Sequence, residues 1–210
     1  SDPYEPAEAQ YQLTRRIIQV LAEFENPASI TTKGVLARRD VDVLAELYEK
    51  ADVQVIFSVG SVDDEVWKRT EPGTPRPMAR LEAMQYLVEN GIPAGVMMAP
   101  LLPGISDGSE SINAVVEAAA AHKARFLSAN LLFLKPGSKE WFMPLIREAY
   151  PHLTAGYTRL YRGKTFAPQD YTAQVLKMVD DTRHMWELPR GCPPRQLSGP
   201  QRQLEMVLRT

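Results

Sequence analysis

The stretch from Val53 to Pro103, VQVIFSVGSVDDEVWKRTEPGTPRPMARLEAMQYLVENGIPAGVMMAPLLP, constrains the chain more than any other. It carries two short apolar runs, Val53–Phe57 and Ala94–Ala99, each the length of a buried strand. Between them the segment Met78–Glu89 puts Leu81, Met84, Leu87 and Val88 at helical spacing. Arg76 and Arg80 lie towards its start, and Asn90-Gly91 stops it. Strand, polar loop, helix and strand make one βαβ unit, and such crossovers are almost always right-handed. Ligands of such units gather outside the carboxyl ends of the strands. Here those ends read Ser58-Val59-Gly60-Ser61 and Pro100-Leu101-Leu102-Pro103-Gly104, so function is expected in these loops.

The same period runs on both sides. Upstream, Ala28–Thr32 is a short β-branched run ending in Lys33-Gly34, and Val41, Leu44, Leu47 and Tyr48 form a helical face. Downstream, a turn-rich loop from Leu102 to Gly108 leads to a small-residue helix marked by Ile112, Val115, Val116 and Ala119. Phe126–Phe133 reads as the fourth strand, entering the turn Lys135-Pro136-Gly137. Four parallel strands near 28–32, 53–58, 94–99 and 126–132 are therefore expected side by side in chain order, with helices on the outer face. The pattern by itself leaves open a barrel arc or an open doubly wound sheet. Ahead of the first strand, Leu13, Ile17, Val20 and Leu21 recur at helical spacing up to Asn26-Pro27. The opening Ser1-Asp2-Pro3-Tyr4 reads as the loop after a strand lying upstream, so the chain is expected to be truncated at its N-terminus.

Beyond Ser138 the alternation ends. Trp141, Leu145, Ile146 and Ala149 mark one helical face, with Pro144 an irregularity, and Leu153–Tyr161 and Pro168–Met185 mark two further helices. Tyr171, Val175, Met178 and Val179 share one side of the last. Gly191-Cys192-Pro193-Pro194 ends the regular pattern, leaving Gln196–Thr210 as a loose tail. The expected division is a partial α/β barrel over 1–137, a C-terminal helical extension over 138–190 and a tail over 191–210.

With 210 residues, 44% hydrophobic and 24% charged, the chain has the composition of an ordinary globular domain. No apolar run approaches a membrane span and no basic-apolar leader opens the sequence, so a cytoplasmic setting without membrane contact is expected. A net charge of -2 gives no global attraction to nucleic acid. Locally, Trp67, Lys68, Arg69 and Arg76 would make a basic surface with one aromatic, suited to a nucleic-acid backbone. The single cysteine, Cys192, excludes an internal disulfide, a multi-cysteine zinc site and a [4Fe–4S] cluster held by three or four thiolates of this chain. His122, His152 and His184 have no second ligand at metal spacing, so no metal site is expected from them.

Glu71-Pro72-Gly73-Thr74-Pro75, then Arg80-Leu81-Glu82-Ala83, then Gly91-Ile92-Pro93, then Ala99-Pro100 resembles, in this order and spacing, the middle of spore photoproduct lyase. The resemblance is closer still to the radical S-adenosylmethionine (SAM) proteins often labelled DNA-repair photolyases. It implies an α/β fold of the incomplete TIM-like parallel barrel kind, the radical SAM core. It also implies SAM as cofactor and a [4Fe–4S] cluster whose ligands are absent from this chain. In the intact protein the cluster would cleave SAM to a 5'-deoxyadenosyl radical that abstracts a hydrogen atom, in lyase-like repair of DNA.

In that family a Ser-Asp pair meets the amino group of SAM, and a Lys and a Ser contact the rest of it. This sequence is similar at Ser1-Asp2, at Lys33 within Thr31-Thr32-Lys33-Gly34, and at Ser58, with Ala99-Pro100 and Asn130-Leu131 as implied neighbours of the adenine. The chemistry agrees, because an amino-acid end needs a carboxylate for its ammonium group and a cation for its carboxylate. The lyase's hydrogen-relay cysteine precedes its Ser-Asp pair, and that position falls ahead of Ser1, so no catalytic residue is assigned. Glu71, Arg76 and Arg80 flank the Pro-rich loop as either substrate-facing or loop-ordering groups. Two rival readings need no missing cysteines: a Schiff-base lyase with Lys33 as the amine at a strand end, and a non-catalytic binding module.

Overall fold

A computed structural model describes residues 2–192. In chain order these form α1 (Glu8–Tyr11), α2 (Leu13–Glu23), β1 (Ala28–Thr32), a 3-10 helix (Val35–Asp40), α3 (Val41–Lys50) and β2 (Val53–Ser58). Then come α4 (Asp64–Thr70), α5 (Pro77–Glu89), β3 (Ala94–Leu101), α6 (Ser109–Ala121), β4 (Leu127–Leu131) and α7 (Ser138–Ala149). A second 3-10 turn (Pro151–Leu153), α8 (Thr154–Leu160) and α9 (Gln169–Met185) complete them.

All four strands are parallel and stand in the order β1-β2-β3-β4. A doubly wound sheet would reverse its strand order partway, so the barrel arc is the arrangement found. In the register, Thr32 lies beside Phe57, Phe57 beside Val96, and Met97 beside Ser128. The carboxyl ends of the strands thus come level along one rim. β2 is buried almost throughout, as a parallel strand covered on both faces must be. Leu44 and Leu47 of α3, Leu81, Met84 and Leu87 of α5, and Ile112, Val115 and Val116 of α6 pack with Val55, Phe57, Val96 and Met98 in one core. Helix α9 lies against β4 and α6, adding Val175 and Val179 to that core.

Several local departures from the sequence pattern have physical causes. β3 runs on to Leu101 past a register shift between Met98 and Leu101. Pro100 sits there, with no N–H to offer the ladder and a cis peptide bond to Ala99. β4 is shorter than the apolar run Phe126–Phe133, and Phe133 instead makes an isolated antiparallel bridge to Phe166. Helix α4 replaces what the sequence pattern suggests is an irregular loop, because Asp63 accepts from the N–H groups of Glu65 (2.7 Å) and Val66 (3.3 Å) at its start. On α2 the spaced residues Leu13, Ile17 and Val20 face outwards, while Ile18 and Ala22 make the buried contact towards α3. Trp141 likewise points to solvent from α7, whose buried residue is Ile146. Among the described residues no helix is long and apolar enough to cross a membrane.

Gln12 offers no side-chain cap to α2. Glu8 does so from the preceding turn: its carboxylate accepts from the N–H groups of Leu13 (3.0 Å) and Thr14 (3.0 Å), and from Arg39 Nη2 at 3.1 Å. Burial pushes this carboxyl up, but the hydrogen bonds from Thr14, Arg39, Arg15 and Leu13 outweigh it and hold the group below its ordinary value. Stability from such a group is present above its unfolded-state pKa and is lost as pH falls through the folded one. Glu8→Gln is therefore expected to destabilise the protein by about 1–2 kcal/mol at neutral pH. In urea denaturation the gap to the wild type should close on acidification below about pH 4. A gap independent of pH would show that the Glu8 charge plays no part.

Candidate functional site

The rim encloses a cavity of about 200 Å³. Lys33 comes to it from the end of β1, Gly60 and Ser61 from the end of β2, and Pro100, Leu102 and Ser106 from the end of β3. Trp67 and Glu71 reach it from α4 and the following turn, Arg80 from α5, Leu132 from just past β4, and Phe142 from α7. Gly60 keeps two of these loops in touch: a Cβ there would lie 2.7 Å from the carbonyl oxygen of Pro100.

Arg80 is 1% exposed and holds one side of the cavity together. Its Nη1 donates to the carbonyl of Ser58 (2.8 Å) and its Nε to the carbonyl of Pro75 (2.8 Å). Its Nη2 donates to Glu71 Oε2 (2.6 Å) and to Thr74 Oγ1 (2.7 Å). One guanidinium thus pins the Glu71–Pro75 turn to the end of β2. Trp67 Nε1 adds a 3.1 Å bond to Thr74 Oγ1. The other oxygen of Glu71 receives Lys33 Nζ at 2.9 Å. Burial pushes the Glu71 carboxyl up, yet the charges of Arg80 and Lys33 and their hydrogen bonds bring it below its ordinary value.

Asp2 stands at the end of β1. It accepts from Tyr4 N (2.9 Å), Thr32 Oγ1 (2.5 Å) and Lys33 N (2.6 Å), and Thr32 Oγ1 accepts in turn from Gly34 N at 2.7 Å. The Asp2 carboxylate is thus held on the backbone of Lys33, whose ammonium group pairs with Glu71 instead. Ser1 lies outside the described residues. Ser58 is buried at the end of β2 with its carbonyl on Arg80. Pro100 lines the cavity and Ala99 is half-buried beside it. Asn130 is exposed on β4, its amide 3.9 Å from Met97 Sδ. Arg76, beside Arg80 in the sequence pattern, points elsewhere: it pairs with Asp64 and its guanidinium lies 5.6 Å from the centroid of the Trp67 ring.

The sequence pattern does not single out Ser106 or Asp107. Ser106 Oγ accepts from Leu102 N (2.9 Å), Asp107 Oδ1 accepts from Gly104 N (2.7 Å), and Asp107 Oδ2 accepts from the hydroxyl of Tyr171 on α9. Burial, and then Asp107, push the Tyr171 phenol up. The only local signal was the turn composition of Ser106-Asp107-Gly108. In the basic surface expected around α4, Lys68 pairs with Glu65 at 2.7 Å and Arg76 with Asp64, while Arg69 lies over the Tyr150 ring at 5.7 Å.

The strand end of β1 offers both charges a zwitterion needs, the Lys33 ammonium at the cavity and the Asp2 carboxylate on the Lys33 backbone. It does not suit an iron–sulfur cluster. The chain has one thiol, Cys192, and among the described residues no three His, Cys, Asp or Glu side chains group as a metal site.

The family model described as the radical SAM superfamily matches residues 6–117. An uncharacterized protein of Mycobacterium tuberculosis is 35% identical over 179 residues, which are 85% of this chain and 53% of that protein. An uncharacterized protein of Methanocaldococcus jannaschii is 30% identical over 107 residues, 51% of this chain and 40% of its own length. Among solved structures, a mutant of spore photoproduct lyase with dinucleoside spore photoproduct superposes with a TM-score of 0.62 at 17% identity, covering 85% of this chain and 54% of that one. A mutant of the same lyase with bound AdoMet and dinucleoside spore photoproduct gives a TM-score of 0.58 at 17% identity, over 89% and 55% of the two chains. The chain spans about half the length of the curated Mycobacterium relatives and of these solved lyase chains.

Proposed function

The chain belongs to the radical SAM superfamily, and from that premise we propose that its rim cavity takes the amino-acid end of S-adenosylmethionine. Lys33 would hold the methionyl carboxylate and Asp2, with Ser1, the ammonium group. Ser58, Ala99, Pro100 and Asn130 would flank the remainder along the ends of β2, β3 and β4. The observation that carries this reading is that Lys33 ties both charged groups to the end of β1: its backbone N–H donates to the Asp2 carboxylate at 2.6 Å, and its ammonium group reaches Glu71 at the cavity that Lys33 lines. Both groups have capacity left. A lysine ammonium has three donors and one goes to Glu71; the Asp2 oxygens receive three hydrogen bonds, where a carboxylate offers about four sites. A cavity of about 200 Å³ is below the usual size of a whole-cofactor site, which agrees with the adenosyl part lying along the open rim.

SAM bound beside a reduced [4Fe–4S] cluster supplies hydrogen-atom abstraction, and since no cluster ligands stand in this chain no step is assigned through it. The work of these residues is to bind and orient: Glu71 fixes Lys33, and Arg80 fixes Glu71. For the whole protein we place the reaction among lyase-like repairs of a DNA lesion, a reading supported by the ordered resemblance from Glu71 to Pro100. A Schiff-base role for Lys33 is the weaker reading. Its nitrogen faces Glu71 at 2.9 Å, not the apolar pocket or neighbouring cation that makes a lysine nucleophilic.

Calorimetric titration of SAM into the chain and into Lys33→Ala tests the assignment. The variant should bind more weakly by about 1.5–3 kcal/mol, the scale of a charge-assisted hydrogen bond. Its far-ultraviolet circular dichroism should match the wild type. Equal affinities would sink the pocket.

A further inference from the structure

Phe133 and Phe166 are large aromatic side chains held at the surface, 48% and 65% exposed, with ring centroids 6.0 Å apart. Their backbones make the antiparallel bridge beyond β4, and Leu134 N donates to Thr165 O at 2.7 Å. The pair is fixed from beneath as well: Tyr161 hydroxyl donates to Leu132 O (2.7 Å) and Lys139 Nζ to Tyr161 O (2.7 Å). Leu132 lines the rim cavity, and in extended chain its neighbour Phe133 faces the other way. The two rings therefore form an aromatic lip just past the end of β4, next in the chain to the cavity-lining Leu132.

Around this lip the charge runs against that of the chain as a whole. The two segments 133–141 and 161–168 contribute Lys135, Lys139, Arg162 and Lys164 against the single acid Glu140. That acid is spent on the N–H of Gly137 at 2.5 Å. Among the described residues no ion-pair partner is present for Lys135, Arg162 or Lys164, whereas Lys68 and Arg76 near α4 are neutralised by Glu65 and Asp64. Lys135 Nζ lies 5.6 Å from the centroid of the Phe133 ring. Exposed ring faces interleaved with unpaired cations match a ligand of flat bases joined by phosphates.

We infer that the Phe133–Phe166 lip is a stacking platform for a single strand of nucleic acid, with Lys135 and Lys164 on its phosphates. This deepens the reading of the rim as the mouth of a site acting on DNA, and it rests on that reading. The strand would cross the lip beside the cavity, two bases meeting the two rings. Stacking on phenylalanine tolerates any base, so the platform holds a strand without reading its sequence.

The test is fluorescence anisotropy of a labelled oligothymidylate titrated with the chain at low and at physiological ionic strength. Phe166→Ala should weaken binding by about 5- to 100-fold, the range for losing one base–aromatic stack. Lys164→Gln should lower the slope of log affinity against log salt by about 0.7, the value for one phosphate contact on a single strand. Both side chains are exposed, so neither change should alter the urea midpoint. Calorimetry of SAM binding on the same variants should match the wild type. A loss there as well would fault the rim assignment, whereas normal SAM binding with unchanged oligonucleotide affinity would fault the platform alone. Absence of any oligonucleotide binding overturns the proposal. So does a concentration-dependent self-association in sedimentation that Phe166→Ala removes while oligonucleotide affinity stays unchanged, since the lip would then be a protein contact.

Discussion

Arg80→Ala should destabilise the protein by about 3–5 kcal/mol, the scale for removing one partner of a buried ion pair. The guanidinium is 1% exposed and gives hydrogen bonds to Ser58 O, Pro75 O, Thr74 Oγ1 and Glu71 Oε2. Alanine would leave two carbonyls and a carboxylate facing the space it vacates, each losing a donor that water reaches poorly. Glu71 would keep only Lys33, so its carboxyl should rise from its depressed value and the stability gap to the wild type should narrow in acid. Arg80→Lys should recover only part of the loss, because an ammonium cannot span the fork of acceptors that a guanidinium does. Urea denaturation of both variants at neutral and acid pH measures these effects. A cost below about 1 kcal/mol for Arg80→Ala would mean that the turn is held by Trp67 and Thr74 without it.

Why the sequence shows the sheet so clearly and the site less so follows from where the causes lie. β2 and β3 are short apolar runs with breakers at both ends, and burial on both faces leaves that signature in the residues themselves. β4 is overextended by the same rule: Phe133 looks like one more strand residue, and only its pairing with Phe166 far along the chain shows otherwise. Helix α4 carried its own signals, Asp63 as cap, acids in the first turn and bases in the last, but a proline-rich loop immediately after them dominated the pattern. Arg76 and Arg80 read alike in sequence, yet one is exposed against Asp64 and the other is buried against Ser58. Nothing local separates them, because the deciding carbonyl belongs to another strand. Asp2 and Lys33 are joined by the same kind of long-range contact, and so are Asp107 and Tyr171. Resemblance to a family pointed to the first pair, and composition pointed to neither.

Gly34→Ala should be about as damaging as a single added carbon can be. Gly34 has ordinary extended backbone, with φ -80, so the requirement is one of space and not of conformation. A Cβ there would lie 2.2 Å from the carbonyl oxygen of Tyr4 and 2.7 Å from its Cβ, distances that only a movement of backbone can relieve. Tyr4 is 2% exposed and cannot simply swing into solvent. Moving it would draw away the segment through which Asp2 reaches Thr32 Oγ1 and Lys33 N, so strand end and site should fail together. The expected cost is about 3 kcal/mol, the upper part of the usual range for overpacking. SAM affinity should fall by at least the tenfold expected of Lys33→Ala, since Asp2 and Lys33 would both lose their place. Gly156→Ala is the control: it sits in α8 with nothing within 4 Å of the new carbon and should be neutral or stabilising by up to about 1 kcal/mol. If Gly34→Ala melts with the wild type and binds SAM equally well, the Tyr4 segment does not rest on β1, and Asp2 is not the carboxylate of the site.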